Sequence, residues 1–191
     1  MEKQSEMKLR RGFRQFNKFM LLMWDLGLGR WISAWPQVTG QIMVLKHTGR
    51  KSGQVRRTPV NYAFVDGELY CVAGFGGMSD WYRNLRANPN LEVWLPDGWW
   101  EGAAEEVGDV PNRMDLIRAV LIGSGFAAVF AGLDPYTASD EELLGEVKDY
   151  KVMRIRREAP RTGLDGPGRL AWVWPLATFL LLPLALRRRR K

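Results

Sequence analysis

The chain has 191 residues, of which 46% are hydrophobic, enough to bury one core with decorated ends but not two independent domains. Of the formal net charge of +7, five charges lie in the last five residues and four in the first thirty, so the stretch between carries −2 and lacks the basic face of a nucleic-acid binder. The single Cys71 and single His47 exclude an intramolecular disulfide, a cysteine-rich metal site and a multi-histidine metal centre; Cys71 reads as a buried hydrophobe and His47 as a strand residue with a satisfied hydrogen bond.

Residues 1–30 read as an amphipathic helix. Phe13, Phe16, Phe19, Met20, Met23 and Trp24 recur at three- and four-residue spacing, with Arg10, Arg14, Lys18 and Asp25 between them. Such a helix caps a core or lies on lipid, and Gly27 and Gly29 end it. Charges interleaved with apolar residues are not a secretory signal.

From Gln41 the pattern changes to short extended runs at 42–48, 56–65, 68–74, 91–95 and 99–107. Their links, GRKSGQ, Asp66-Gly67 and Pro96-Asp97-Gly98, are too short for parallel crossovers, so antiparallel hairpins are expected. Asp80 is expected to cap a short helix, WYRNLRAN, that stops at Pro89, and helices follow over 111–122 and 139–147. VMRIRR, 152–157, reads as a closing strand. The fold expected for 31–157 is therefore α+β, an antiparallel β-barrel or roll with peripheral helices.

Residues 158–169 form a Pro/Gly-rich linker. The tail, 170–191, begins with 17 uncharged residues interrupted by Pro175 and Pro183 and ends in RRRRK. It is short for a bilayer-crossing helix, and a single crossing would carry the basic end outward, so a shallow or re-entrant anchor on the cytoplasmic side of the cell membrane is expected. Trp172 and Trp174 would then lie at headgroup depth and the arginines would meet anionic lipid.

The chemistry is concentrated in two motifs. TGRKSG, 48–53, followed by QVRRTPV, 54–60, lies in a stretch from Trp31 to Val65 that contains no carboxylate. Gly49 and Gly53 permit tight backbone, and Arg50, Lys51, Ser52 and main-chain amides could converge on a phosphate. Arg56 and Arg57 flank the turn, but alternation along a strand sends them to opposite faces. The second motif, GFGGMSDWYRNL, 74–85, sets a glycine-rich strand end against a helix N-terminus, where a flat anionic ring could lie. Trp81 could cover such a ring and Asn84 pair with its carbonyl or imide; equally, Trp81 could be core and Asn84 helix surface.

TGRKSGQVRRTPV, LYCVAGFGG and WYRNLRANPNLEV, in that order over Val38 to Trp94, resemble the deazaflavin-dependent nitroreductase and quinone reductase family. The resemblance implies a split β-barrel like that of flavin reductases. It also implies a cofactor, reduced 8-hydroxy-5-deazaflavin (coenzyme F-420), whose tail bears a phosphate, a lactyl group and glutamates. Carried over by position, Gly49, Arg50, Lys51 and Ser52 would hold the tail, with Arg56, Arg57, Thr58, Pro59 and Val60 beside it. Val72, Ala73 and Gly74, with Asp80, Trp81, Tyr82 and Asn84, would frame the ring. Gly74 stands where drug-reducing members have a hydroxyl and Phe75 where they have a polar residue. Where those members place acceptor-lining tyrosines, this chain has Phe126, Phe130 and only Tyr136, so an apolar, quinone-like acceptor is favoured over nitroimidazoles. The expected reaction is hydride transfer from carbon 5 of the deazaflavin, with no protein nucleophile. The proton donor is left open among solvent, Tyr62, Tyr82 and Tyr136. A homodimer is left open. Two rival readings are an FMN-dependent oxidoreductase of the same barrel class and a non-catalytic cofactor- or lipid-binding protein.

Overall fold

The computed structural model describes residues 2–34, 40–125, 128, 132 and 134–188. Phe126 and Phe130, and the basic end from residue 189 onward, lie outside the described residues.

Six strands close into one barrel: β1 (Ile42–Thr48), β2 (Val55–Val65), β3 (Glu68–Ala73), β4 (Asn90–Leu95), β5 (Gly98–Val107) and β6 (Lys151–Pro160). Their order around the barrel is β1-β2-β3-β6-β5-β4, and each neighbouring pair is antiparallel. The expected α+β antiparallel barrel is therefore what the sequence folds into. The Asp66-Gly67 turn takes positive φ at both residues, 52° and 80°, the geometry that matches the twist of a two-residue hairpin.

Around the barrel lie α1 (Glu2–Asp25), a single turn α2 (Gly29–Ile32), α3 (Asp80–Ala87), α4 (Arg113–Ile122), α5 (Asp140–Val147) and α6 (Val173–Arg188). Asp80 does not cap α3 as expected: Ser79 occupies that position, without a side-chain cap bond, and Asp80 opens the helix with its carboxylate turned to Arg50. A true capping box stands at α5, where Ser139 Oγ accepts from the Glu142 amide and Glu142 accepts from the Ser139 amide.

Strand β1 is buried on both faces, which explains its nearly unbroken apolar run. Met43 and Leu45 enter the barrel interior with Tyr62, Leu69, Cys71, Val93 and Ile155. Val44 points outward and packs with Trp24, Trp94 and Trp99 beneath α1. Helices α4 and α5 close a third apolar cluster over Val152.

Asp25 ties the outer layer together. Its buried carboxylate accepts from Arg57 of β2 at 2.5 Å and from Arg169 at 3.0 and 2.9 Å, and its carbonyl accepts from the Leu170 amide. The expected linker is correspondingly ordered. Strand β6 runs on to Pro160, Arg161 pairs with Glu92 and Glu101, Asp165 pairs with Lys46, and Gly166 lies against the Trp99 ring. This strap delivers the start of α6 to the end of α1, where Trp174 Nε1 donates to the Leu26 carbonyl. The outer face of α6 is not covered by the barrel: Phe179 is 77% exposed, and Leu180, Leu181 and Leu182 are also exposed.

Burial raises the Asp25 pKa, but hydrogen bonds from Arg169 and Arg57 outweigh it and hold the carboxyl below its ordinary 3.8. Its stabilisation is thus present above that value and is lost as pH falls through the depressed one. Asp25→Asn is expected to cost about 2–3 kcal/mol at pH 7, because Arg57 keeps only part of its solvation. The cost should shrink as the pH is lowered past 3.8 through the depressed value; urea denaturation at pH 7 and in a series of acid buffers checks it, and equal stability of the two proteins at pH 7 would contradict it.

Candidate functional site

The turn between β1 and β2 is built on two main-chain bonds, Gly49 N–H to the Gln54 carbonyl and Gly53 N–H to the Gly49 carbonyl, both 2.8 Å. Gly53 sits at φ +64°, where a side chain would be strained even though the space around it is open. Ser52 Oγ accepts from the Gln54 amide. Among the described residues, this leaves the Lys51 and Ser52 amides without an acceptor, beside the exposed Lys51 side chain.

The basic residues that look clustered in sequence separate in space. Lys46 pairs with Glu92 and Asp165 and Arg57 with Asp25 of α1, both on the outer face of the barrel. Arg57 also stacks over Trp94, so it is engaged away from the turn. Arg56, exposed and bonded to Gln54, remains near the turn with Arg50 and Lys51. Pro59 is buried opposite Val44, and Val60 packs against the interior cluster.

Helix α3 meets this turn through a chain of hydrogen bonds. Asn84 Oδ1 accepts from the Arg50 amide at 3.1 Å and from Arg50 Nη1 at 2.9 Å. Two N–H donors require an oxygen, so the amide nitrogen of Asn84 faces the other way, 3.4 Å from His47 Nδ1. His47 Nδ1 is then the acceptor, and the ring carries its proton on Nε2, which donates to Thr58 Oγ1 at 3.2 Å. Asn84 and His47 are only 6% and 4% exposed. Burial outweighs an opposing backbone hydrogen bond at Thr48 and, with Arg56 adding to it, pushes the imidazole down to about 4, so it is neutral at pH 7. Arg50 Nη1 also reaches the exposed Asp80 carboxylate at 3.0 Å.

The fold brings the two motifs together as expected, and it buries Asn84, so the alternative of a helix-surface residue is not what the chain adopts. Both ends of its amide are bonded inside the protein. Tyr82 is likewise buried, with its hydroxyl donating to Glu106. Trp81 is half-buried against the interior cluster, at the start of α3. Ala73 is buried in that cluster, Val72 packs under α4 and α5, and Gly74 is exposed at the strand end. A β-carbon on Gly74 would lie 3.5 Å from the Tyr150 ring, so Tyr150 borders this edge. Nothing in its local sequence marks Tyr150; only the β3–β6 pairing brings it there. His47 was legible as a hydrogen-bonded strand residue, but not its partner across 37 positions.

A cavity of about 460 Å³ lined by Gln41, Ala63, Phe64, Ala119, Ile122, Gly123 and Tyr136 opens at the other end of the β1–β2 hairpin. Seven residues of β1 separate it from the basic turn, roughly 23 Å at about 3.3 Å per residue. Of the residues expected around an acceptor, Tyr136 lies here.

Residues 28–123 match the F420H(2)-dependent quinone reductase family. F420H(2)-dependent quinone reductases from two strains of Mycobacterium tuberculosis are each 44% identical over 55 residues, 27% of this chain and 36% of theirs. The chain thus aligns with about a third of the length of the curated relatives it matches. Among solved structures, a conserved hypothetical protein from Mycobacterium tuberculosis is 24% identical over 63% of this chain and 75% of that one, with a TM-score of 0.45. A protein described as an F420-H2 dependent reductase is 22% identical over 61% and 94%, with a TM-score of 0.43.

The neutral His47 makes the fold sensitive to acid. An unfolded histidine takes up a proton near 6.5 and the native one only near 4, so stability should fall as pH drops through that window, by on the order of 3 kcal/mol. Chemical denaturation of the unaltered protein and of His47→Gln at pH 7 and 4.5 isolates this contribution. Parallel losses in the two proteins would show that His47 does not carry it.

Proposed function

The chain belongs to the F420H(2)-dependent quinone reductase family, and from that premise we propose that it passes a hydride from reduced coenzyme F-420 to a quinone. The observation that carries this reading is the basic turn. It holds two main-chain amides without a described acceptor and the Lys51 ammonium, with Arg50 and Arg56 alongside. That donor set fits a phosphate followed by carboxylates.

In this reading Lys51, Ser52, Arg50 and Arg56 bind the acidic tail. Gly74, which has no side chain, would leave the strand end beside Tyr150 open for the ring, with Trp81 of α3 as the aromatic that would cover it and exclude water. Bound there, the reduced deazaflavin supplies the hydride from its carbon 5. The protein's part is orientation within reacting distance, with no nucleophile of its own. Tyr62 and Tyr82 are unsuited to protonate the product: burial pushes Tyr62 up to about 12, and burial also raises Tyr82, whose proton is held by Glu106. Solvent is the simpler proton source. The apolar residues that replace hydroxyl and polar positions at Gly74 and Phe75 favour a quinone over nitro compounds.

Titration with F-420 and with FMN, followed by addition of menadione to the reduced complex, tests this function. F-420 should bind more tightly than FMN, and menadione should be reduced. Lys51→Ala should weaken F-420 binding about tenfold, about 1.4 kcal/mol, with a shallower salt dependence. Tightly held FMN with no F-420 affinity would overturn the assignment.

The proposal extends to the place of action, the cytoplasmic face of the cell membrane, where a lipid quinone resides. No described helix is long and apolar enough to cross a membrane. Support comes instead from exposed apolar residues on two helices that meet end to end, Phe16, Phe19 and Leu22 of α1 and Phe179 to Leu182 of α6, with a basic sequence end. The protein should sediment with vesicles containing phosphatidylglycerol more than with neutral ones. Phe179→Glu with Leu181→Glu should abolish sedimentation while menadione reduction persists. Unchanged sedimentation of the double variant would rule out this anchor.

A further inference from the structure

We infer that Asn84, with the buried His47 and Thr58 behind it, is a positioning residue that sets the basic turn for an anionic tail, rather than a contact to the redox ring. The inference rests on the functional reading above and goes beyond it, because it gives Asn84 a role different from the ring contact that its place beside Trp81 suggests.

The geometry separates the two roles. Asn84 Oδ1 takes both the main-chain amide and Nη1 of Arg50, and its amide nitrogen donates one hydrogen to His47 Nδ1, so three of the side chain's hydrogen-bonding positions are engaged inside the protein and it cannot turn out to a ring without breaking them. Burial makes this arrangement costly to undo, since a buried amide turned away from its partners loses them without replacement by water. The Arg50 bond to Asp80 has the opposite character: its carboxylate is 83% exposed, and exposed ion pairs contribute little. An incoming anion can therefore take Arg50 from Asp80 but not from Asn84.

The consequence is a preset turn. With the Arg50 amide turned inward to Asn84, the next two amides, of Lys51 and Ser52, are the ones left without a described acceptor. Nε and Nη2 of Arg50 likewise donate to no described residue, so the guanidinium is held through Nη1 alone. Thr58 fixes the far end by accepting from His47 Nε2, which keeps Nδ1 free to accept from Asn84.

The test compares two ligands that share the ring and differ in the tail: coenzyme F-420 and the ribityl deazaflavin that lacks phosphate and glutamates. Asn84→Ala should raise the Kd for F-420 at least tenfold and leave that for the tail-less compound within twofold, with kcat at saturating F-420 unchanged. A ring contact, or general loss of structure, would weaken both ligands alike and would overturn the inference. If Asn84→Ala does not fold, Thr58→Val carries the same comparison, with a smaller but equally tail-selective loss expected. If the unaltered protein binds neither ligand, the functional reading fails. Inorganic pyrophosphate then decides this inference: it should shift the Lys51 and Ser52 amide resonances in the unaltered protein and not in the variant, and equal shifts in both would refute it.

Discussion

The buried amide of Asn84 joins the two motifs into one site because neither of its ends can go without a partner. Its oxygen faces two Arg50 donors and its nitrogen faces a histidine kept neutral by burial. Bonds of this kind are modest in net energy but expensive to leave unmade, so they fix geometry more than they add stability. A flexible glycine-flanked turn thereby acquires one shape, tied to the helix that carries Trp81. The exposed charges around it, Lys51 and Arg56, can then act as binding groups without also having to hold the backbone in place.

A second constraint divides the cations into structural and functional sets. Arg57 is adjacent to Arg56 in sequence, yet strand alternation sends it beneath α1, where Asp25 binds it together with Arg169. The same carboxylate brings the C-terminal strap to the end of α1, so the apolar α6 starts at that end. In the proposed setting this puts lipid contact and barrel in a defined relation, through one buried acid and two arginines. It also shows why counting positive charge along the chain overstates the charge available at the basic turn: Lys46 and Arg57 are neutralised by acids distant in sequence.

Much of this was legible from sequence because it is local. The period-two runs and their short turns gave β1 to β5 nearly to their ends, and the closing strand was visible in VMRIRR, though not its extension to Pro160. The basic turn, its glycines and its nearness to the Trp81 helix were also legible. What was not legible depends on partners far apart in the chain. Asp80 resembles an N-cap but serves Arg50, thirty residues earlier. The 158–169 stretch has linker composition, yet Arg161, Asp165 and Arg169 each meet an acid or base on another element. Asn84 has the spacing of a ring contact, and only the fold shows both ends of its amide engaged.

The most direct test is a crystal structure with reduced coenzyme F-420 bound. The account predicts the tail phosphate within hydrogen-bonding distance of the Lys51 and Ser52 amides, Arg50 released from Asp80, and Asn84 still bonded to Arg50 and His47. A phosphate bound elsewhere, or Asn84 rotated out to the deazaflavin ring, would contradict it.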